Sequence, residues 1–153
     1  MVLEKGNKAP NFELEDSEGT VHKLSDYQGE TIVVYFYPKD DTPGCTKEAC
    51  SFRDSYKDFK DAGVTIIGIS PDKVESHKKF KDKYALPFTL LADSDHEVCE
   101  SYGVWGLKKS FGREYEGVYR TTYIIDPEGQ VQRVFENVKP SDHSQEVLSE
   151  LGK

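Results

Sequence analysis

Two runs in this chain, TIVVYFY (Thr31–Tyr37) and VTIIGIS (Val64–Ser70), are almost unbroken in apolar, β-branched and aromatic residues. A strand with one face in water alternates apolar and polar side chains, whereas a strand covered on both faces has no need to. Each run therefore predicts a central strand with structure packed above and below it. Between them, the segment Thr46–Ala62 carries Phe52, Tyr56 and Phe59 at helical spacing. A strand, a helix and a second strand in that order form a right-handed crossover between parallel strands.

The remaining signals extend this unit. Shorter strands are expected at Thr89–Ala92, Thr121–Asp126 and Val131–Glu136, the last two joined as a hairpin by the turn residues Asp126-Pro127-Glu128-Gly129. Ser70-Pro71-Asp72 predicts a helix opening, with serine as cap and proline at the first helical position, running to about Tyr84. A shorter helix follows Asp93-Ser94-Asp95 and carries Cys99, and a final helix opens at Ser141 or Asp142 and ends near Leu151-Gly152. Asn11–Leu14 and Thr20–His22 suggest an N-terminal β-hairpin extension. The expected whole is one α/β domain over residues 1–153, with a mixed central sheet flanked by helices, consistent with a decorated thioredoxin-like fold.

Several function classes drop out on totals. A formal net charge of −8 argues against a nucleic-acid surface, and the densest basic patch, Lys108-Lys109 with Arg113, is short and followed by Glu114 and Glu116. No apolar run approaches the roughly 20 residues of a membrane span. The opening MVLEKGNKAPNF lacks the apolar stretch of a signal peptide, so the expected location is the cytoplasm. In a reducing compartment, three cysteines are better read as catalytic, metal-binding or buried thiols than as a disulfide framework.

Two of those cysteines lie in YPKDDTPGCTKEAC (Tyr37–Cys50). Tyr37 ends a buried strand, Pro38–Asp41 form a loop, Thr42 is the expected helix cap and Pro43 suits the first helical position. Cys45 then falls in the first turn, where unpaired N–H groups and the positive end of the helix dipole favour an anion such as a thiolate. Gly44 lets another atom approach the backbone closely. Cys50 stands five residues on, a rotation of about 140° and a rise of about 7.5 Å along a helix. The two Cα atoms would then be roughly 8.6 Å apart, beyond the ~7 Å limit for a disulfide, so a bond between them requires the first turn or two to unwind.

The run Pro38-Lys39-Asp40-Asp41-Thr42-Pro43-Gly44-Cys45 resembles the Pro-x-x-x-Thr-x-x-Cys motif of the peroxiredoxins. The fuller string YPKDDTPGCTKEACSFRD is similar to the bacterioferritin-comigratory-protein, or peroxiredoxin Q, subfamily, and the likeness extends from Gly6–Phe12 to Arg120–Asp126. The resemblance implies a thiol peroxidase acting on hydrogen peroxide and organic hydroperoxides. Cys45 would be the peroxidatic residue and become a sulfenic acid. Cys50 would resolve it as an intramolecular disulfide, which a thioredoxin- or glutaredoxin-type protein reduces. The resemblance assigns Arg120 to hold the sulfur and the peroxide and Pro38 to shield the thiolate. The Thr42 hydroxyl and the backbone around Gly44 and Cys45 would meet the peroxide oxygens. It implies no metal, haem or flavin, and a monomer.

Other residues are read more plainly. Cys99 is expected as an ordinary residue of an amphipathic helix, and Glu48 and Arg53 as solvated or surface-paired charges. The histidines at 22, 77, 96 and 143 share no spacing and are expected on the surface, and Asp40-Asp41 is explained by loop solubility. A protein disulfide oxidoreductase would want Cys-x-x-Cys at the helix start, which is absent. A zinc site needs about four ligands, and Cys45 and Cys50 lack suitably spaced partners. A non-enzymatic redox sensor would share the chemistry of Cys45 but need a partner surface that no motif marks.

Overall fold

The computed structural model describes residues 2–110, 112–141 and 143–151. Asp142 and Gly152, named above for the start and end of the last helix, lie outside the described residues. In chain order come β1 (Glu13–Asp16), β2 (Val21–Lys23), β3 (Thr31–Phe36), α1 (Pro43–Asp54), α2 (Tyr56–Asp61), β4 (Val64–Ser70) and α3 (Val74–Tyr84). They are followed by β5 (Thr89–Ala92), α4 (Glu97–Ser101), β6 (Trp105–Ser110), β7 (Arg113–Val118), β8 (Thr121–Ile125), β9 (Val131–Phe135) and α5 (His143–Glu150).

Seven strands form one mixed sheet in the order β2-β1-β5-β4-β3-β8-β9. β3 and β4 are parallel, with Val33 opposite Ile66 and Phe36 opposite Ile69, and β4 and β5 continue the parallel centre. β8 joins β3 in the antiparallel sense, pairing Phe36 with Thr121. The alternation hidden inside the apolar runs now becomes visible. Val33, Tyr35 and Ile66 pack with Phe52, Phe59, Phe80 and Val147 on one face. Ile32, Val34, Phe36, Ile67 and Ile69 pack with Phe12, Cys99, Tyr102 and Val104 on the other. Burial on both faces is why these strands carry no polar residue at every second place. The N-terminal hairpin forms as expected and extends the sheet, β1 pairing antiparallel with β5. The β8–β9 turn is closed by the Asp126 carboxylate, which accepts the N–H groups of Glu128 and Gln130, while Gly129 takes φ +84°.

Three element readings are corrected. The helix expected over Thr46–Ala62 is two helices divided at Ser55, whose φ and ψ are −101° and 7°. Its hydroxyl is engaged by Ser144 and Gln145 of α5. Ser70 does not cap α3. It ends β4 and its hydroxyl donates to the Asp72 carboxylate at 2.6 Å, so the helix opens three residues later, at Val74, with Lys73 at the cap position. The β6–β7 hairpin was not foreseen, and the Lys108-Lys109 and Arg113 patch lies on it. It stands apart from the main sheet and leaves Leu107 and Tyr115 exposed, so it never develops the apolar periodicity that marks a core strand.

Candidate active site

β3 delivers the chain into the sheet's buried centre, and Tyr37 is still buried as the loop begins. Pro38 is half-buried, Asp40 is buried, and Asp41 adopts a left-handed conformation at φ +58°. Thr42 is extended (φ −93°, ψ 156°) and Pro43 opens α1, so the backbone turns into the helix where the sequence placed it. The Thr42 side chain does not cap the helix, however. Its hydroxyl donates to the Lys39 carbonyl at 2.9 Å and so fastens the loop, while the Thr42 carbonyl accepts the Thr46 N–H. The first-turn N–H groups of Gly44 and Cys45 thus remain outside the helix's own ladder.

Cys45 is 1% exposed, and the guanidinium of Arg120 donates through Nη2 to its Sγ at 3.4 Å. Arg120 stands immediately before β8, the strand that pairs with β3, so the antiparallel register of these two strands carries it to the start of α1. Gly44 has a physical reason as well. A Cβ built on it would lie 3.1 Å from Arg120 Nη2 and 3.5 Å from Pro140. Cys50 is half-buried further along the same unbroken helix, and all three cysteines are free thiols.

The principal residue missed from sequence is Glu48. It is fully buried and receives the other arm of Arg120, Nη1 to Oε1 at 2.8 Å. Burial pushes its pKa up to about 7 even though the neighbouring Arg120 pulls it down. The guanidinium is therefore divided between a carboxyl group and the sulfur, both on one face of α1 because they lie three residues apart. That spacing from Cys45 was the available signal. Among the described residues, Glu48 Oε2 and the hydroxyl of Tyr35 are the buried side-chain polar atoms without a partner. Burial, then the proximity of Glu48 and Cys45, raises the Tyr35 phenol well above its ordinary range. Lys108, reaching in from β6, donates to the Val118 carbonyl at 3.0 Å, and burial and the nearby Arg120 lower its pKa.

A second buried cluster holds the loop. Asp40 accepts from the Tyr37 hydroxyl at 2.6 Å and from Ser76 at 2.8 Å, and meets His77 Nδ1 at 2.7 Å. The other nitrogen of His77 donates to the Leu91 carbonyl at 2.8 Å. The Asp40 N–H donates to Asp72. Asp40 is thus a structural anchor, not a solvated loop charge. His77, fully buried, and His143, buried between Thr122 and Glu146, correct the expectation of surface histidines. Burial lowers the pKa of His143. Facing atoms of Asp40, Asp72 and His77 lie within 4.8 Å of one another, as a metal site would require, but protein hydrogen bonds already occupy them. Cys99 is fully buried, and its thiol is held protonated by burial and by Asp93.

The AhpC/TSA family pattern matches residues 5–134 of the chain. The chain is 52% identical over 151 residues to peroxiredoxin Bcp of Bacillus subtilis, covering 99% of this chain and 96% of that one. It belongs to the AhpC/TSA family, as a peroxiredoxin of the Bcp or Q kind. Solved structures agree. A cysteine-to-serine variant of Xylella fastidiosa peroxiredoxin Q superposes with a TM-score of 0.93 at 33% identity, covering 99% of this chain and 97% of that one. A Xanthomonas campestris bacterioferritin comigratory protein, studied for alkyl peroxide reduction, gives 0.87 at 38% identity, covering 92% and 90%. The fold is therefore the thioredoxin-like peroxiredoxin fold, and the protein is a thiol peroxidase, an oxidoreductase that takes a peroxide as substrate and needs a reductant to complete its cycle.

Proposed function

We propose that Cys45 is the peroxidatic residue and Cys50 the resolving one. The single observation that carries the assignment of Cys45 is the Arg120 guanidinium, held on one side by buried Glu48 and aimed on the other at the Cys45 sulfur 3.4 Å away. The thiolate attacks one oxygen of the peroxide, the O–O bond breaks, and the departing oxygen leaves as water or an alcohol after taking a proton. Negative charge grows on that oxygen, so donors already in place matter most. Arg120 supplies one set and the free N–H groups of Gly44 and Cys45 another. The Thr42 hydroxyl keeps its lone pairs for the peroxide while its proton serves Lys39. Pro38 walls the loop side.

Cys45 is left as a sulfenic acid. Cys50 attacks that sulfur, the S–O bond breaks, and water departs as the disulfide forms. Because both residues lie in one intact helix, this step needs α1 to unwind locally. A dithiol protein of thioredoxin or glutaredoxin type returns both thiols by exchange. Organic hydroperoxides belong among the substrates, a reading supported by the X. campestris relative, and the protein acts as a cytoplasmic monomer.

The test is an intact mass and peptide map of the reduced protein after one equivalent of hydrogen peroxide. The expected result is loss of two hydrogens within seconds, mapped to Cys45–Cys50. One added oxygen on Cys45 with Cys50 still free would overturn the two-cysteine cycle, and two unreacted thiols would overturn the site.

A further inference from the structure

Helix α3 grips the chain on both sides of the cysteine pair. Four residues before Cys45, the Asp41 carboxylate accepts from Lys83 Nζ at 2.8 Å and from the Tyr84 hydroxyl at 2.9 Å. Three residues after Cys50, Arg53 Nη1 donates to the Tyr84 carbonyl at 2.9 Å. That carbonyl is available because α3 ends there. Ala85 turns left-handed at φ 51°, and the N–H groups of Ala85 and Leu86 both return to the Lys81 carbonyl. A cation at a helix C-terminus is well placed electrostatically. Two turns further back, Ser76 and His77 hold Asp40.

These are point attachments, not a packed interface. A cavity of about 490 Å³ opens between the loop and α3, lined by Asp40, Asp41, Lys73, Ser76, Lys79 and Lys83. The residue held at the tip, Asp41, has a conformation that a side chain other than glycine adopts at some cost. Released from Lys83 and Tyr84, it gains freedom to relax. The segment between the two outer attachments, residues 42–52, contains both cysteines and the turns of α1 that must unwind before they can meet.

We infer that the C-terminal turn of α3 is a clamp that sets how readily the Cys45–Cys50 segment unwinds, and so how a Cys45 sulfenic acid divides between two fates. In one, Cys50 displaces water and the disulfide forms. In the other, a second peroxide gives up an oxygen atom to the sulfenate, leaving a sulfinic acid and water. A tight clamp holds the wound helix, favouring the first attack on peroxide and delaying resolution. Lys83 and Tyr84 are positioning residues in this scheme, since neither touches the reacting atoms. The inference rests on the two-cysteine cycle proposed above.

The experiment follows the sulfenic acid by rapid-quench mass spectrometry in the full-length wild type and in Lys83→Ala, Tyr84→Phe and the double variant. At each peroxide concentration it scores disulfide against sulfinic acid. Removing an exposed ion pair and one hydrogen bond should speed disulfide formation about three- to tenfold in the double variant. The peroxide concentration giving equal disulfide and sulfinate should rise with it. Lys83→Arg should behave as wild type. Lys57→Ala removes a comparable exposed pair with Asp61 on α2, away from the clamp, and should leave the division unchanged. Unaltered division in the double variant, or an equal change in Lys57→Ala, overturns the clamp while leaving the cycle standing. Failure of the wild type itself to form the Cys45–Cys50 disulfide overturns the cycle and the clamp together.

Discussion

Two acid–base pairs, each with a buried carboxyl group, flank the turn into α1, and they are built on opposite plans. Asp40 and His77 form a closed arrangement. Both carboxylate oxygens are occupied, by Tyr37, Ser76 and His77, and both ring nitrogens face partners. Glu48 and Arg120 form an open one. Among the described residues one Glu48 oxygen has no partner, and one arm of Arg120 rests on a sulfur rather than an oxygen acceptor. A satisfied network stabilises position, whereas an unsatisfied one leaves interaction strength in reserve for whatever arrives. The difference separates the part of the loop that holds from the part that reacts.

The two pairs separate most clearly at Arg120. Arg120→Met should lower the second-order rate of Cys45 oxidation about 10²- to 10³-fold, measured by stopped-flow competition for peroxide. A loss under tenfold would remove Arg120 from the reacting side. Asp40→Ala should do the reverse. It strands His77, the Tyr37 hydroxyl and Ser76, and should cost about 3–5 kcal/mol in denaturant unfolding. The peroxide rate of the folded protein should stay within tenfold. A larger kinetic than thermodynamic effect would show that both pairs take part in the chemistry.

Glu48→Gln sharpens the contrast through pH. The folded Glu48 pKa of about 7 lies above its ordinary 4.5, so between those values the folded chain holds more proton than the unfolded one. This contribution to stability is full below about pH 4.5 and is lost as pH rises to about 7. Glu48→Gln should flatten that decline in urea unfolding curves taken across the window, and an unchanged slope would assign it to another group. The smallest effect is expected from Ser76→Ala, which removes one of the three side chains that contact the Asp40 carboxylate. It should cost about 1 kcal/mol, or about 2–4 °C in Tm.

The central strands were legible because double-sided burial leaves a continuous apolar signature in Thr31–Phe36 and Val64–Ser70. The turn into α1 was legible because Pro43, Gly44 and Cys45 each answer a local requirement of a helix start. Glu48 was not, since glutamate in a helix ordinarily means solvent and only β8, brought beside β3, buries it against Arg120. His77 and Asp40 are 37 residues apart and carry no mutual spacing. The β6–β7 hairpin escaped for the opposite reason. Glu114, Tyr115 and Glu116 are all exposed, so burial imposes no pattern there to read.

The pairing of β8 with β3 also fixes when the site comes into being. Cys45 and Arg120 are separated by 75 residues and meet only once these strands have zipped together. Contacts between remote parts of a chain form after the intervening loop has been closed, and they set the slow part of folding. During synthesis the sulfur emerges from the ribosome long before its arginine. The nascent chain therefore carries an unarmed thiol, and the arginine reaches it only when the last third of the protein has docked.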